Sequence, residues 1–146
     1  AGANIIQIFD SWAGLIPSHL INNYCFDPNL KLVEYCKNLQ VPVICFPKGL
    51  GVKYKDFLKV VKPNAINIDY EINLEWAKEN LNNVVVQGGL DPKALLGQEK
   101  DLFSLAEKYL KSFAGKPYIF NLGHGLLPET NPDKVTKLIN FVREYN

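Results

Sequence analysis

The chain has 146 residues, 47% hydrophobic and 21% charged, which is enough to close a core and too apolar for a disordered segment. Sixteen basic against fifteen acidic residues leave a formal net charge of +1, so no broad field exists for nucleic acid or an anionic membrane. No apolar run approaches the roughly 18 residues of a membrane span, and no leader pattern opens the chain.

Cys25, Cys36 and Cys45 form no Cys-x-x-Cys pair, which argues against a disulfide framework or a zinc ribbon and fits a reducing cytoplasm. The sequence contains no Met and opens on Ala1-Gly2-Ala3. Two readings fit that opening: processing of the N-terminus, or a fragment of a longer chain.

The first apolar run, IIQIF at 5–9, reads as a strand. Asp10 and Ser11 follow it directly, and either one caps the next helix or both face a ligand. His19 has no special setting and belongs on the surface. Residues 29–39 repeat apolar side chains at helical spacing through Leu32, Val33, Cys36 and Leu39. VPVICF at 41–46 is a second strand, with Pro42 at its start, where a missing N–H is tolerable. Pro47-Lys48-Gly49-Leu50-Gly51 then forms a turn too poor in glycine for a phosphate loop. Cys45 lies inside this strand and packs as a small apolar residue.

Residues 53–62 form a helix through Phe57, Leu58 and Val61, and NAINID at 64–69 is the third strand. Asp69, at its end, either holds a polar ligand group or satisfies loop amides. Asn73 caps a short helix reaching Asn80, and VVVQ at 84–87 is the fourth strand. Gly88 and Gly89 suggest close approach of backbone, and Asp91-Pro92 is an N-cap followed by proline at the first helical position. Residues 99–113 carry Leu102, Leu105, Ala106 and Tyr109 on one stripe. The fifth strand is YIFNL at 118–122, and a last helix from Asn131-Pro132 carries Val135, Leu138, Ile139 and Val142. The strands are rich in Ile and Val with little alternation, as in strands buried on both faces.

His124 stands between Gly123 and Gly125 just after the fifth strand. Packing gives little reason for a histidine there, whereas a ligand-facing histidine can donate a hydrogen bond or carry a proton. The two histidines are far apart in sequence and neither has a spaced partner, so a metal site is not indicated.

Strands alternating with helices specify a parallel α/β sheet. Each unit averages about 29 residues over the 146. Eight such units would need about 235, close to the ~250 of a (β/α)8 barrel. The pattern therefore fits either a complete five-stranded doubly wound domain or five units of a barrel.

Four segments in order, IIQIFDSWAG, VICFPKG, QGGLDP and IFNLGHGLLPET, resemble the uroporphyrinogen decarboxylase family from end to end. The resemblance implies a (β/α)8 TIM barrel, with residues 1–146 as its last five βα units within a single domain. It implies removal of carboxyl groups from the four acetate side chains of uroporphyrinogen, giving coproporphyrinogen in the haem pathway, with no metal and no organic cofactor. It carries over two substrate-binding positions, Ser11 and His124, and no catalytic residue. It also implies a homodimer for the intact enzyme. The family's arginine-rich segment, its central aspartate and its tyrosine belong to the first three units and have no counterpart here. The chain alone is therefore expected to be inactive, and a part-barrel with two open sheet edges is expected to be poorly stable or to associate. Gly89 stands where many members have Asn. Related methyltransferases bind zinc through a His-x-Cys, and the matching stretch, Val43-Ile44-Cys45, has no histidine.

The reading from another class is a complete signalling or binding module. Asp10 and Asp69 suit the outline of a receiver domain, but the lysine expected after the fifth strand is absent. A flavodoxin-like phosphate loop is poorly matched by DSWAGL.

Overall fold

The β-branched runs become strands because their side chains pack on a pleated surface, and their order in space separates the two architectures. In the computed structural model, which describes residues 2–145, five strands form one parallel sheet. They are β1 (Ile6–Asp10), β2 (Val43–Pro47), β3 (Ala65–Ile68), β4 (Val85–Gly88) and β5 (Tyr118–Ile119). The spatial order is β1-β2-β3-β4-β5, identical to chain order. A doubly wound domain reverses its strand order at a switch point, and this sheet has none. The doubly wound arrangement is thereby ruled out as an architecture, and the sheet is an arc of barrel type.

The helices agree. α1 (Asp27–Asn38), α2 (Tyr54–Val61), α3 (Leu74–Asn80), α4 (Glu99–Ser112) and α5 (Pro132–Glu144) alternate with the strands. Val33, Phe57, Ala77, Ala106 and Leu138 from these helices share one core with Val43, Cys45, Ile66, Ile68 and Val86 of the strands. Ile44, Phe46 and Ala65 are also buried but lie outside that core. Side chains alternate across a strand, so these residues mark the opposite face. The helices therefore cover one side of the sheet only.

Burial falls off toward the flanks. Every residue of β2 and β3 is buried, as expected for strands covered on both faces. β1 departs from that expectation: it is an edge strand, and Phe9 is 67% exposed. β5 departs in length. Val86 pairs with Tyr118 and Gln87 with Ile119, and the ladder then lapses until an isolated bridge joins Leu90 to Leu122 in the same register. Gly88 and Gly89 cause the gap, with φ of +83° and +102°. Their carbonyls accept hydrogen bonds from the hydroxyls of Tyr118 (2.7 Å) and Tyr109 (2.6 Å). Gly89 has no room for a side chain, since an added Cβ would lie 2.6 Å from Cε1 of Tyr109.

Helix starts follow the expected chemistry. Asn73 Oδ1 accepts from the Trp76 N–H at 3.0 Å, and Asn131 Oδ1 from the Asp133 N–H at 2.8 Å. Asp91 caps in the same way, but the segment it opens, Pro92–Leu96, is a 3-10 turn. The inward stripe of α1 differs from its expected one. Asn29 and Val33 are buried, while Leu32 and Leu39 are 49% and 59% exposed. The helix begins at Asp27 directly behind a π-turn (Asn22–Phe26), and Asn29 is held inward by bonds to Asp10 and the Cys25 carbonyl.

Phe57 is fully buried and stands edge-on to Phe26 with ring centroids 5.5 Å apart. Phe57→Ala is expected to lower unfolding stability by about 3–5 kcal/mol. Urea titration measures it, and a loss below about 1 kcal/mol would contradict this packing.

Candidate functional site

The face away from the helices is unlike a core. Gln7 of β1, Asn67 of β3 and Gln87 of β4 each place an amide there, flanked on both sides by apolar residues or glycine. Gln87 Nε2 donates to Asn67 Oδ1 at 2.7 Å and to Gln7 Oε1 at 3.1 Å. Asn67 Nδ2 donates to the Ile68 carbonyl at 3.1 Å. Asn67 and Gln87 are buried, so these bonds satisfy polar atoms that would otherwise be costly there. Gly88 leaves space for the layer, since a Cβ on it would lie 2.8 Å from Asn67 Nδ2.

Above this amide layer, at the C-terminal ends of the strands, a cleft of about 360 Å³ opens. Gln7, Asn67, Phe9 and Phe46 line its floor and wall, with the two aromatic rings edge-to-face at 6.1 Å. Ser11 from the β1 loop and His124 from the β5 loop line the same cleft. The structure thus brings together the two side chains that the sequence singled out, although 112 positions separate them in the chain. Ser11 is half-buried and His124 is exposed. Sequence reasoning missed the amide layer. Its signal was present as one amide within each of three apolar runs.

The loops bearing Ser11 and His124 are held backbone to backbone. The Gly14 N–H donates to the Lys48 carbonyl at 2.8 Å, and the Lys48 N–H donates to the Asp10 carbonyl at 3.1 Å. Gly14 lies so close to Gly49 that an added Cβ would be 2.6 Å from the Gly49 carbonyl oxygen. Gly123 packs against the Asp69–Tyr70 peptide, and a Cβ on it would stand 2.4 Å from the Tyr70 nitrogen. The Gly123 N–H donates to the Leu90 carbonyl at 2.7 Å.

Asp69 serves loop groups, the second of its two readings. Its Oδ2 accepts from the Gly49 N–H and the Tyr54 O–H, both at 2.8 Å, and its Oδ1 accepts from the Glu71 N–H at 3.0 Å. Burial, reinforced by the facing Asp69 carboxylate, pushes the Tyr54 phenol far above its usual range, so it keeps its proton and donates. Asp10 turns toward the helices, where Oδ2 accepts from Asn29 Nδ2 at 3.2 Å. Lys48 is half-buried and His19 is exposed.

Cys25 and Cys45 are fully buried and Cys36 partly so. Desolvation raises both buried thiols, Cys45 to about 12, so neither is an activated nucleophile. Among the described residues no three His, Cys, Asp or Glu side chains gather as a metal site. A basic groove lined by Lys55, Lys59 and Lys62 lies at the opposite, N-terminal end of the strands, away from Ser11 and His124.

A sequence profile of the family described as Uroporphyrinogen decarboxylase (URO-D) matches residues 1–145. The chain belongs to the uroporphyrinogen decarboxylase family. A uroporphyrinogen decarboxylase of Rickettsia bellii (strain RML369-C) is 44% identical over 147 aligned positions, covering 99% of this chain and 43% of that protein. One from Wolbachia pipientis wMel is 37% identical over 99% of this chain and 43% of its own length. One from Rickettsia rickettsii (strain Sheila Smith) is 37% identical over 99% and 42%. The chain thus spans less than half the length of these uroporphyrinogen decarboxylases. Among the described residues no helix is long and apolar enough to cross a membrane.

Gly123→Ala is expected to push residues 122–125 off the Asp69–Tyr70 peptide and cost about 1–3 kcal/mol, because both contacting surfaces are backbone. Thermal unfolding measures it, and an unchanged midpoint would contradict the contact. Native-state alkylation at pH 8 is expected to label Cys36 and spare Cys45, which reacts only after unfolding. Mass spectrometry of the labelled peptides decides this, and early modification of Cys45 would refute its protection.

Proposed function

We propose that this chain forms the C-terminal five units, residues 1–146, of a uroporphyrinogen decarboxylase barrel. In this reading the enzyme removes the four acetate carboxyl groups of uroporphyrinogen III to give coproporphyrinogen III. The observation that carries the proposal is the convergence of Ser11 and His124 on one cleft above an amide floor. Family membership supports the same reaction.

The chemistry explains what these groups do. Loss of carbon dioxide leaves an electron pair that needs a sink. Protonation of a pyrrole carbon makes that sink within the substrate, so the reaction as proposed requires no cofactor. The cationic ring then needs a preorganised negative charge and the substrate carboxylates need positioned donors. Ser11 and His124 donate hydrogen bonds to substrate carboxylates and so orient the acetate arms. Neither supplies the central negative charge. That role, and the arginine partners, fall to the first three units, so residues 1–146 alone are inactive in this reading. Asp69 and Asp10 do not replace them, because their carboxylates are engaged by Gly49, Tyr54, Glu71 and Asn29.

The flanks of the arc fit a larger fold. Ile6, Phe9, Tyr35 and Leu39 on the first unit and Ile119 and Ile139 on the last are exposed. A largely apolar groove of about 460 Å³ lies between the segment that follows β5 and α5, with Phe120, Leu122, Val135 and Ile139 in its walls. We assign these surfaces to the preceding units of the same barrel, which removes both open sheet edges. The intact enzyme is further proposed to be a cytoplasmic homodimer.

The test is conversion of uroporphyrinogen III by the native-length protein, followed by product mass. Stepwise loss of four carboxyl groups is expected. Ser11→Ala and His124→Ala should each lower kcat/KM by about 10- to 100-fold, in line with about 1.5–3 kcal/mol for a hydrogen bond to a charged group. No turnover by the native-length protein, or unchanged kinetics in both variants, would sink the proposal.

A further inference from the structure

We propose that Asp69 is a positioning residue: its carboxylate holds the Ser11 side of the rim through Gly49 while its own peptide carries Gly123, so the Ser11 loop and the His124 loop keep a fixed relation across the cleft. The inference rests on the proposed function and names a residue that acts there without touching substrate.

The route is continuous. Ser11 begins the loop whose Gly14 is bonded to Lys48 and pressed against Gly49. The Gly49 N–H is held by Asp69 Oδ2. The peptide that leaves Asp69 is the surface on which Gly123 rests, and His124 is the next residue. Each link is backbone, or backbone to carboxylate, and glycine removes every side chain that could act as a soft spacer. Asp69 lies just beyond the end of β3, outside the sheet ladder, so its bonds order the loops rather than the strands.

A carboxylate is needed because three donors converge on it. Tyr54 O–H and Gly49 N–H both point at Oδ2, and Glu71 N–H points at Oδ1. An amide in its place would turn one acceptor into a donor facing other donors. Tyr54 is fully buried at the start of α2, so the carboxylate is also tied to the helical layer. The loop arrangement is thereby referenced to the core, and both lips of the cleft share that reference.

The experiment uses the native-length protein as wild type, Asp69→Asn and the milder Tyr54→Phe. Amide hydrogen exchange is read by residue-resolved NMR, and kcat/KM is read with Ser11→Ala and His124→Ala made in each background. In Asp69→Asn, the Gly14 and Gly123 amides are expected to exchange at least about tenfold faster while those of Ile66 and Val86 are unchanged. kcat/KM is expected to fall by about 10²-fold, as for a small misplacement of binding groups. Ser11→Ala and His124→Ala should then cost much less than in wild type, because both groups are already out of place. Tyr54→Phe should show the same pattern at smaller size, and it carries the test if Asp69→Asn does not fold.

Unchanged exchange at Gly14 and Gly123 in the folded variants would overturn the proposal. So would full additivity of the Ser11 and His124 effects, which would reduce Asp69 to a stabilising contact. Faster exchange in a protein that never turns over uroporphyrinogen would support the coupling while refuting the functional reading.

Discussion

The carboxylate of Asp69 is buried at the mouth of the arc and accepts from Gly49, Tyr54 and Glu71. A charge taken out of water without partners is very costly, so these three donors are a condition of its burial. The geometry of the rim follows from satisfying it. Gly49 is drawn in, Gly14 follows Gly49, and the Asp69–Tyr70 peptide becomes the bed for Gly123. A loop end that looks like irregular backbone is in this way defined to within a hydrogen bond. The glycines matter because a single Cβ at Gly14 or Gly123 would meet backbone that has nowhere to move.

The two faces of the sheet divide the work. The helix face is apolar and continuous, and it holds the strands in order through Val33, Phe57, Ala77 and Ala106 against Ile66, Ile68 and Val86. The other face carries the linked amides of Gln7, Asn67 and Gln87, which specify one another because each missing bond would leave a buried polar atom unpaired. Such a face suits a polar ligand better than a dry core. Under the proposed reaction its role is orientation, and the strong electrostatics come from the preceding units. Ser11 and His124 can be well placed here and still be insufficient for turnover.

Much of the fold was legible in the sequence, for local reasons. Three central strands followed from short runs rich in Ile and Val, and Asn73, Asp91 and Asn131 marked helix or turn starts because their side chains bond the next free N–H groups. The failures also have causes. The fifth strand reads as five residues, yet the positive φ angles at Gly88 and Gly89 break its ladder after Ile119. The inward face of α1 differs from its apolar pattern because Asn29 is buried by its bonds to Asp10 and the Cys25 carbonyl, while Leu32 is exposed. The amide layer was overlooked because one polar residue in an apolar run reads as noise until its partners are known.

The sequence by itself determined the elements, their alternation and the strand ends at which Ser11 and His124 emerge, since these depend on side-chain period and on turn residues close in the chain. It left open whether five βα units wind both ways or curve one way, because each unit looks the same in either case. Only the tertiary structure decided that, through sheet order and through helices on one face alone. The role of Asp69 was likewise undecided in sequence, because a carboxylate at a strand end suits a ligand as well as a loop. What settled it was the meeting of three donors from separate parts of the chain, and convergence of that kind exists only once the chain has folded.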